Sequence, residues 1–197
     1  MRISEKLKLL IEEFHVPRHV MRHCEGVATF AVKLGGKFIA AGEKIDLDLL
    51  YQAAMVHDLV RVVDFGHFHP EKFPGGFTQQ DLEVWEALRK KYAGIHHADA
   101  GAQILEERGF SKIAEVVRAH RFIHIKIGFK SWEERILYYA DKRVKHDKIV
   151  TLEERLRDGR IRNAHIIKRT EEESEILNRK VFELEKEIFE KIGEPIF

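Results

Sequence analysis

A chain of 197 residues, 44% hydrophobic and 34% charged, has the balance of one globular domain large enough to bury a core. Its net charge of +1 excludes a strong overall field toward nucleic acid or an anionic membrane. The single cysteine, Cys24, excludes an intrachain disulfide, no targeting segment is visible, and no stretch approaches the roughly 20 apolar residues of a membrane span, so a cytoplasmic setting is expected.

Helical spacing dominates from the start. Leu7, Leu10, Ile11 and Phe14 form a short amphipathic face. Pro17 opens a second helix, buried through Val20, Val27, Phe30, Ala31 and Leu34, whose later part Gly35-Gly36 is expected to weaken or bend. Asp46 caps a third helix through Leu49, Leu50, Ala53, Ala54 and Met55. Residues 62–77, with Asp64, Gly66, His67, His69, Pro70, Pro74, Gly75 and Gly76, read as a long loop that forms part of a site.

Thr78 caps the next helix, with Asp81 three residues on as a short capping box. Another runs from near His97 to Arg108 and stops at Gly109. Ser111 is expected to cap the helix that carries His120, and Ser131 with Glu134 to form a capping box for the helix through Ala140 and Val144. From Asn163 to Lys191, the series Ile167, Thr170, Ser174, Leu177, Val181, Leu184 and Ile188 repeats in threes and fours. That reads as a long helix packed on the core or, in a sharper reading, pairing two copies into a homodimer. No run alternates like a strand. The expectation is all-α: a compact orthogonal helical bundle over residues 1–160, with a long amphipathic helix in 161–197.

Twelve histidines make imidazole chemistry worth following by position. The apolar run Ala53-Ala54-Met55-Val56 leads into His57-Asp58. A carboxylate there needs a partner: a divalent cation, an arginine, or a water-exposed helix end. His23 interrupts an amphipathic helix upstream, and Asp141 interrupts the apolar run Ile136 to Ala140 downstream. His15, His124, His146 and His165 show no partners and read as surface residues, and His67-Phe68-His69 as loop or substrate-side residues.

An early His, a central His-Asp and a late Asp on separate helices resemble the HD-domain superfamily of metal-dependent phosphohydrolases over about residues 17–147. His97-Ala98-Asp99-Ala100-Gly101 is similar to the His-x-x-x-Gly element of the subgroup with two metals, and Val116-Val117-Arg118-Ala119-His120 to that subgroup's next histidine. Arg121 stands where several relatives carry a further histidine. Gly101 favours His97 over His96, and the Val27-Ala28 context favours His23 over His19.

The resemblance implies a first metal on His23, His57, Asp58 and Asp141, with Asp58 bridging to a second on His97 and His120. Mixed imidazole and carboxylate ligands suit one or two ions of iron, manganese, zinc or nickel. Asp58 and Arg61 are the expected catalytic residues. Arg61, where many relatives have lysine, Arg121 and Lys142 are the expected phosphate contacts, and Glu25 and Asp99 are weaker proton-shuttle candidates. The implied substrate is a small phosphorylated molecule, a nucleotide or related ester or anhydride. The subgroup includes bacterial diadenosine tetraphosphate hydrolases, and the Gly-Tyr-Pro signature of cyclic-dinucleotide hydrolases is missing. Two other readings stand beside it: a mixed-valent di-iron oxygenase, and a non-catalytic nucleotide sensor.

Overall fold

The computed structural model describes residues 1–162 and 170–193. Ten helices carry the fold: α1 (Glu5–Glu13), α2 (Arg18–Ala40), α3 (Leu47–Val56), α4 (Gln79–Lys91), α5 (His97–Glu107), α6 (Ser111–Arg118), α7 (His124–Ile127), α8 (Trp132–Asp141), α9 (Leu152–Arg162) and α10 (Glu171–Ile192). The expected all-α class holds. Its one departure among the described residues is a hairpin of two-residue strands, β1 (Val144–Lys145) and β2 (Lys148–Ile149), turned by His146 at φ +57°. No described helix is long and apolar enough to cross a membrane.

The core lies where α2, α3, α6 and α8 meet. Val27, Ala31, Leu34, Leu50, Val56, Val117 and Leu137 are fully enclosed there. α2 runs unbroken through Gly35-Gly36. Gly35 is needed for close packing, because a Cβ on it would lie 2.7 Å from Leu47 Cδ2 and 3.1 Å from Leu50 Cδ2. Buried Gln52 ties α1 to α3, accepting from Ser4 N at 3.0 Å and donating to the Arg2 carbonyl at 3.0 Å.

Local chemistry sets the helix ends, and in three places it departs from expectation. Asp46 and Thr78 cap α3 and α4 as expected, Thr78 in a reciprocal box with Asp81. Ser111, however, is already helical. α5 closes in a Schellman turn, with Phe110 N–H bonded to the Leu105 carbonyl and Gly109 N–H to Glu106, and Phe110 serves directly as the first residue of the next turn. Ser131 caps α8, but Glu134 accepts from Lys130 N rather than from Ser131, so the box is not reciprocal.

The expected helix over 163–191 begins at Glu171 among the described residues. Thr170 is its cap, in a box with Glu173, rather than a seam residue. Asn163, His165 and Ile167 lie outside the described residues. The seam itself holds: Leu177, Val181, Leu184 and Ile188 are buried, and α10 packs on α2, α7 and α8. Glu185 adds a polar clamp. It pairs with Arg143 Nη1 at 2.9 Å and accepts from Tyr139 Oη at 2.6 Å.

Candidate metal centre

Three helices end at one place. α3 stops at Val56, α6 at Arg118 and α8 at Asp141, and each helix C-terminus carries partial negative charge from its unpaired carbonyls. His57 and His120 sit just past two of these ends and use the same local device. His57 Nδ1 donates to the Ala54 carbonyl at 2.8 Å, and His120 Nδ1 to the Val117 carbonyl at 2.5 Å. Each ring thus satisfies an orphan carbonyl three residues back and turns Nε2 inward.

The other two rings are fixed in the same sense by tertiary partners. His23, in the middle of α2, donates from Nδ1 to the His146 carbonyl at 2.9 Å. His97, the first residue of α5, donates from Nδ1 to Asp64 Oδ2 at 2.7 Å, and its backbone N–H bonds the same oxygen at 3.0 Å. With every Nδ1 committed as donor, each Nε2 faces the carboxylates, so that this nitrogen is the one offered to a metal ion or, without one, to a proton.

Two carboxylates complete the set. Asp141 Oδ1 lies 3.0 Å from His23 Nε2 and 3.9 Å from His57 Nε2. Asp58 Oδ1 lies 3.0 Å from His97 Nε2 and 3.6 Å from His120 Nε2, while Oδ2 is 3.8 Å from His57 Nε2. Two compact donor groups result, His23–His57–Asp141 and Asp58–His97–His120, each with ligand atoms within 4.8 Å of one another. Asp58 touches both. A third group, Asp64–His96–His97, shares His97, whose Nδ1 is already spent on Asp64, so it reads as support for the second group.

The centre draws positive charge: burial pushes His57 down but Cys24, Asp58 and Asp141 raise it to about 9, and Asp64 and Asp58 raise His97 against burial and Arg61. Burial would raise the Asp58 carboxyl, but the charges of His57 and His97 outweigh it and hold the group well below the usual carboxylate range. Burial acts likewise on Asp141 and is overcome by Lys142, His23 and Arg155. Burial lowers His120 to about 4, which keeps that ring neutral.

The donors fit a divalent transition ion on the structure's own terms. His57 Nε2 is fully buried and has no hydrogen-bond partner, an arrangement that is costly unless a cation takes the lone pair. Two buried carboxylates at the negative ends of helices also call for positive charge.

The six sequence-picked ligands therefore come together, and the cations expected near them line the same cleft of about 380 Å³. Each is already engaged. Arg61 pairs with Asp64, Lys142 Nζ lies 2.6 Å from Asp141 Oδ2, and Arg121 Nη1 lies 2.5 Å from Asp99 Oδ2. Asp99 thus holds Arg121, and exposed Glu25 is not part of the cleft wall. The reading of Gly101 as a marker of His97 rests on the motif rather than on crowding, since a Cβ there would make only ordinary contact with Val60 at 3.7 Å.

Several histidines depart from expectation. His146 lines the cleft rather than open surface, and His19, set aside in favour of His23, lines it too. His15 is paired with Asp81 at 2.5 Å, and its carbonyl accepts from Trp85 Nε1. His124 Nδ1 is buried. His67 and His69 stack on each other outside the cleft, and His69 pairs with exposed Glu71. Sequence reading gives Asp64 only as part of the 62–77 site loop, with no role of its own, and misses Lys145, Arg155 and Arg160; all four lie on the cleft wall. Their signal, charge in a loop or on a charge-rich helix, is too common to stand out.

With this geometry in hand, the family model for the HD domain matches residues 20–158, and the chain belongs to that family. Comparison with curated proteins and with solved structures gives no match.

Proposed function

We propose that this chain is a metal-dependent phosphohydrolase acting on a nucleotide or a related phosphate ester or anhydride. His23, His57, Asp58 and Asp141 would hold one ion in this reading, and His97 and His120, together with Asp58, would hold a second. The observation that carries it is the convergence of four Nε2 atoms and two carboxylates around a buried His57 Nε2 that has no hydrogen-bond partner. Mixed nitrogen and oxygen donors favour manganese, iron, zinc or nickel over calcium and magnesium. Membership of the HD family supports the hydrolytic class, and the His-x-x-x-Gly element supports likeness to the diadenosine tetraphosphate hydrolase subgroup.

Bound there, such ions supply an activated water near neutral pH and Lewis acidity toward a phosphoryl oxygen. The chain's own residues set the rest. Asp64 holds the Arg61 guanidinium so that Nε lies 3.9 Å from Asp58 Oδ2. From there it can bind a phosphoryl oxygen by charge-assisted hydrogen bonds while charge develops. Lys142 offsets the Asp141 charge and also donates to the His120 carbonyl at 3.3 Å, so it steadies two ligand-bearing segments at once. Arg121, held at the cleft edge by Asp99, is a third phosphate contact.

The test is elemental analysis of protein purified without chelators, followed by a hydrolysis screen of nucleoside and dinucleoside phosphates with manganese. Metal-dependent phosphate release that disappears in Asp58→Ala is the expected result. Metal-loaded protein that releases no phosphate, yet forms product from oxygen with iron, would replace this reading with the oxygenase one.

A further inference from the structure

The cleft continues beyond the metal centre along α9. Leu156, Gly159 and Arg160 on this helix line it with Arg155, and Ser174 and Asn178, one turn apart on α10, face them. Arg155 forms the inner end. Its guanidinium donates to the Val144 carbonyl at 2.9 Å and lies 3.7 Å from Asp141 Oδ1, which anchors the helix to the ligand shell. Arg160 lies five residues farther on, about 7.5 Å along the helix axis.

Charge along this wall is uneven. Near the metal centre every cleft cation is tied to a buried or half-buried carboxylate, as described above. Lys145, next along, is tied to Glu154 at 3.1 Å and Asp158 at 3.8 Å. Arg160 differs. Its ion-pair partner among the described residues is Glu171 at 3.4 Å, and the two side chains are 51% and 79% exposed. An exposed pair of that kind contributes little and exchanges readily for a better anion. Asn178, half-buried across the cleft, has no side-chain hydrogen bond among the described residues. A loosely held guanidinium and an unengaged amide, facing one space a turn and a half from the reacting centre, form a second anion subsite.

We infer that Arg160 and Asn178 bind a second, distal anionic group of the substrate, so that the preferred substrate class is a chain of phosphates rather than a lone phosphate monoester. The inference rests on the phosphohydrolase reading for what lies at the inner end of the cleft. A simple monoester leaves the outer cations facing water. A polyphosphate reaches both ends, and its extra charge is met by donors in place before binding.

The experiment is calorimetric binding of inorganic triphosphate and of inorganic phosphate to the full chain at one fixed manganese concentration. Wild type, Arg160→Ala, Asn178→Ala and Arg179→Ala are compared, with helicity checked by circular dichroism. Arg179 is the control: it is exposed on α10 and lines neither this cleft nor the adjoining cavity that Arg160 and Asn178 share with Arg157. The expected result is about a tenfold loss of triphosphate affinity in Arg160→Ala, the scale of one charge-assisted contact. Asn178→Ala should show a smaller loss, phosphate affinity should stay within about twofold, and Arg179→Ala should match wild type. Equal losses for both probes, an equal effect of Arg179→Ala, no effect of Arg160→Ala, or no triphosphate binding by wild type each overturn the subsite. Phosphate release is scored separately. A protein that discriminates the two probes but hydrolyses nothing refutes the proposed reaction and leaves the subsite standing.

Discussion

His97 and His120 meet nitrogen to nitrogen, with their Nε2 atoms 3.0 Å apart. Neither ring can relieve the contact by changing tautomer, because His97 Nδ1 is held by Asp64 and His120 Nδ1 by the Val117 carbonyl. At that distance either a proton on His97 Nε2 donates to His120 Nε2 or a metal ion displaces it and takes both nitrogens, and Asp58 Oδ1 completes the donor group. His97→Ala and His120→Ala, made separately, are therefore expected to lower the metal content from about two to about one ion per chain, with the fold retained. Elemental analysis of the purified variants checks this. A wild-type protein with one ion, unchanged in either variant, would remove the second site.

Asp58 belongs to one donor group and reaches toward the other, with Oδ2 3.8 Å from His57 Nε2, so its loss should differ in kind from the loss of one histidine. Asp58→Ala is expected to abolish metal-dependent activity and the metal-dependent rise in melting temperature together. The lost stabilisation is about 2.7 kcal/mol for an ion present at a hundredfold excess over its dissociation constant. Thermal unfolding with manganese and with chelator reads this directly. Wild type should shift between the two conditions and Asp58→Ala should not.

Four of the six candidate ligand positions were legible because each sets a polar group against its surroundings: His57-Asp58 ends an apolar run, Asp141 interrupts one, and His23 breaks a helix pattern; His97 and His120 were picked out by motif resemblance. The caps Asp46 and Thr78 were legible because capping is decided within four residues. What stayed hidden was decided at a distance. Asp64 acts only because its loop returns to the N-terminus of α5, thirty-three residues on. Arg155 and Arg160 look like solvated charges on a charge-rich helix until that helix is laid across the cleft. Ser111 misled because the preceding Schellman turn leaves no separate cap position. Thr170 and Ser174 fitted the heptad spacing, yet one caps the helix and the other faces the cleft.

α10 is part of the folded core rather than an appendage. The Arg143 side chain is 6% exposed and pairs with Glu185, which is 20% exposed, at 2.9 Å. Glu185→Ala takes that carboxylate from the buried guanidinium and removes the acceptor for Tyr139 Oη. The expected destabilisation is about 3 kcal/mol, at the low end for a broken buried pair because Glu185 keeps some contact with water. Urea unfolding followed by circular dichroism measures it. Deleting α10 from Thr170 onward should cost much more, since Leu177, Val181, Leu184 and Ile188 leave an apolar face uncovered, and an insoluble or partly unfolded product is expected. A truncated chain with wild-type melting would show that the helix is dispensable for folding.

The adjacent glycines of α2 separate packing from propensity within one helix. Gly36 has open space around it, with no atom within 4 Å of where a Cβ would stand, and its backbone is helical. Gly36→Ala should therefore stabilise the protein by about 0.5–1 kcal/mol, the usual gain for replacing glycine in a helix interior. Gly35→Ala gains the same propensity term but forces a methyl to 2.7 Å from Leu47 Cδ2 and 3.1 Å from Leu50 Cδ2. Leu47 is half-buried and can swing aside, whereas Leu50 is fully enclosed in the core and cannot. Overpacking of this kind costs about 1–3 kcal/mol, so Gly35→Ala should be net destabilising, by up to about 2 kcal/mol. The two substitutions are predicted to move the urea midpoint in opposite directions at unchanged slope. If both raise it, the α2–α3 contact is looser than the distances at Gly35 imply, and α3, which carries His57 and Asp58 at its end, would be free to shift against the helix that carries His23.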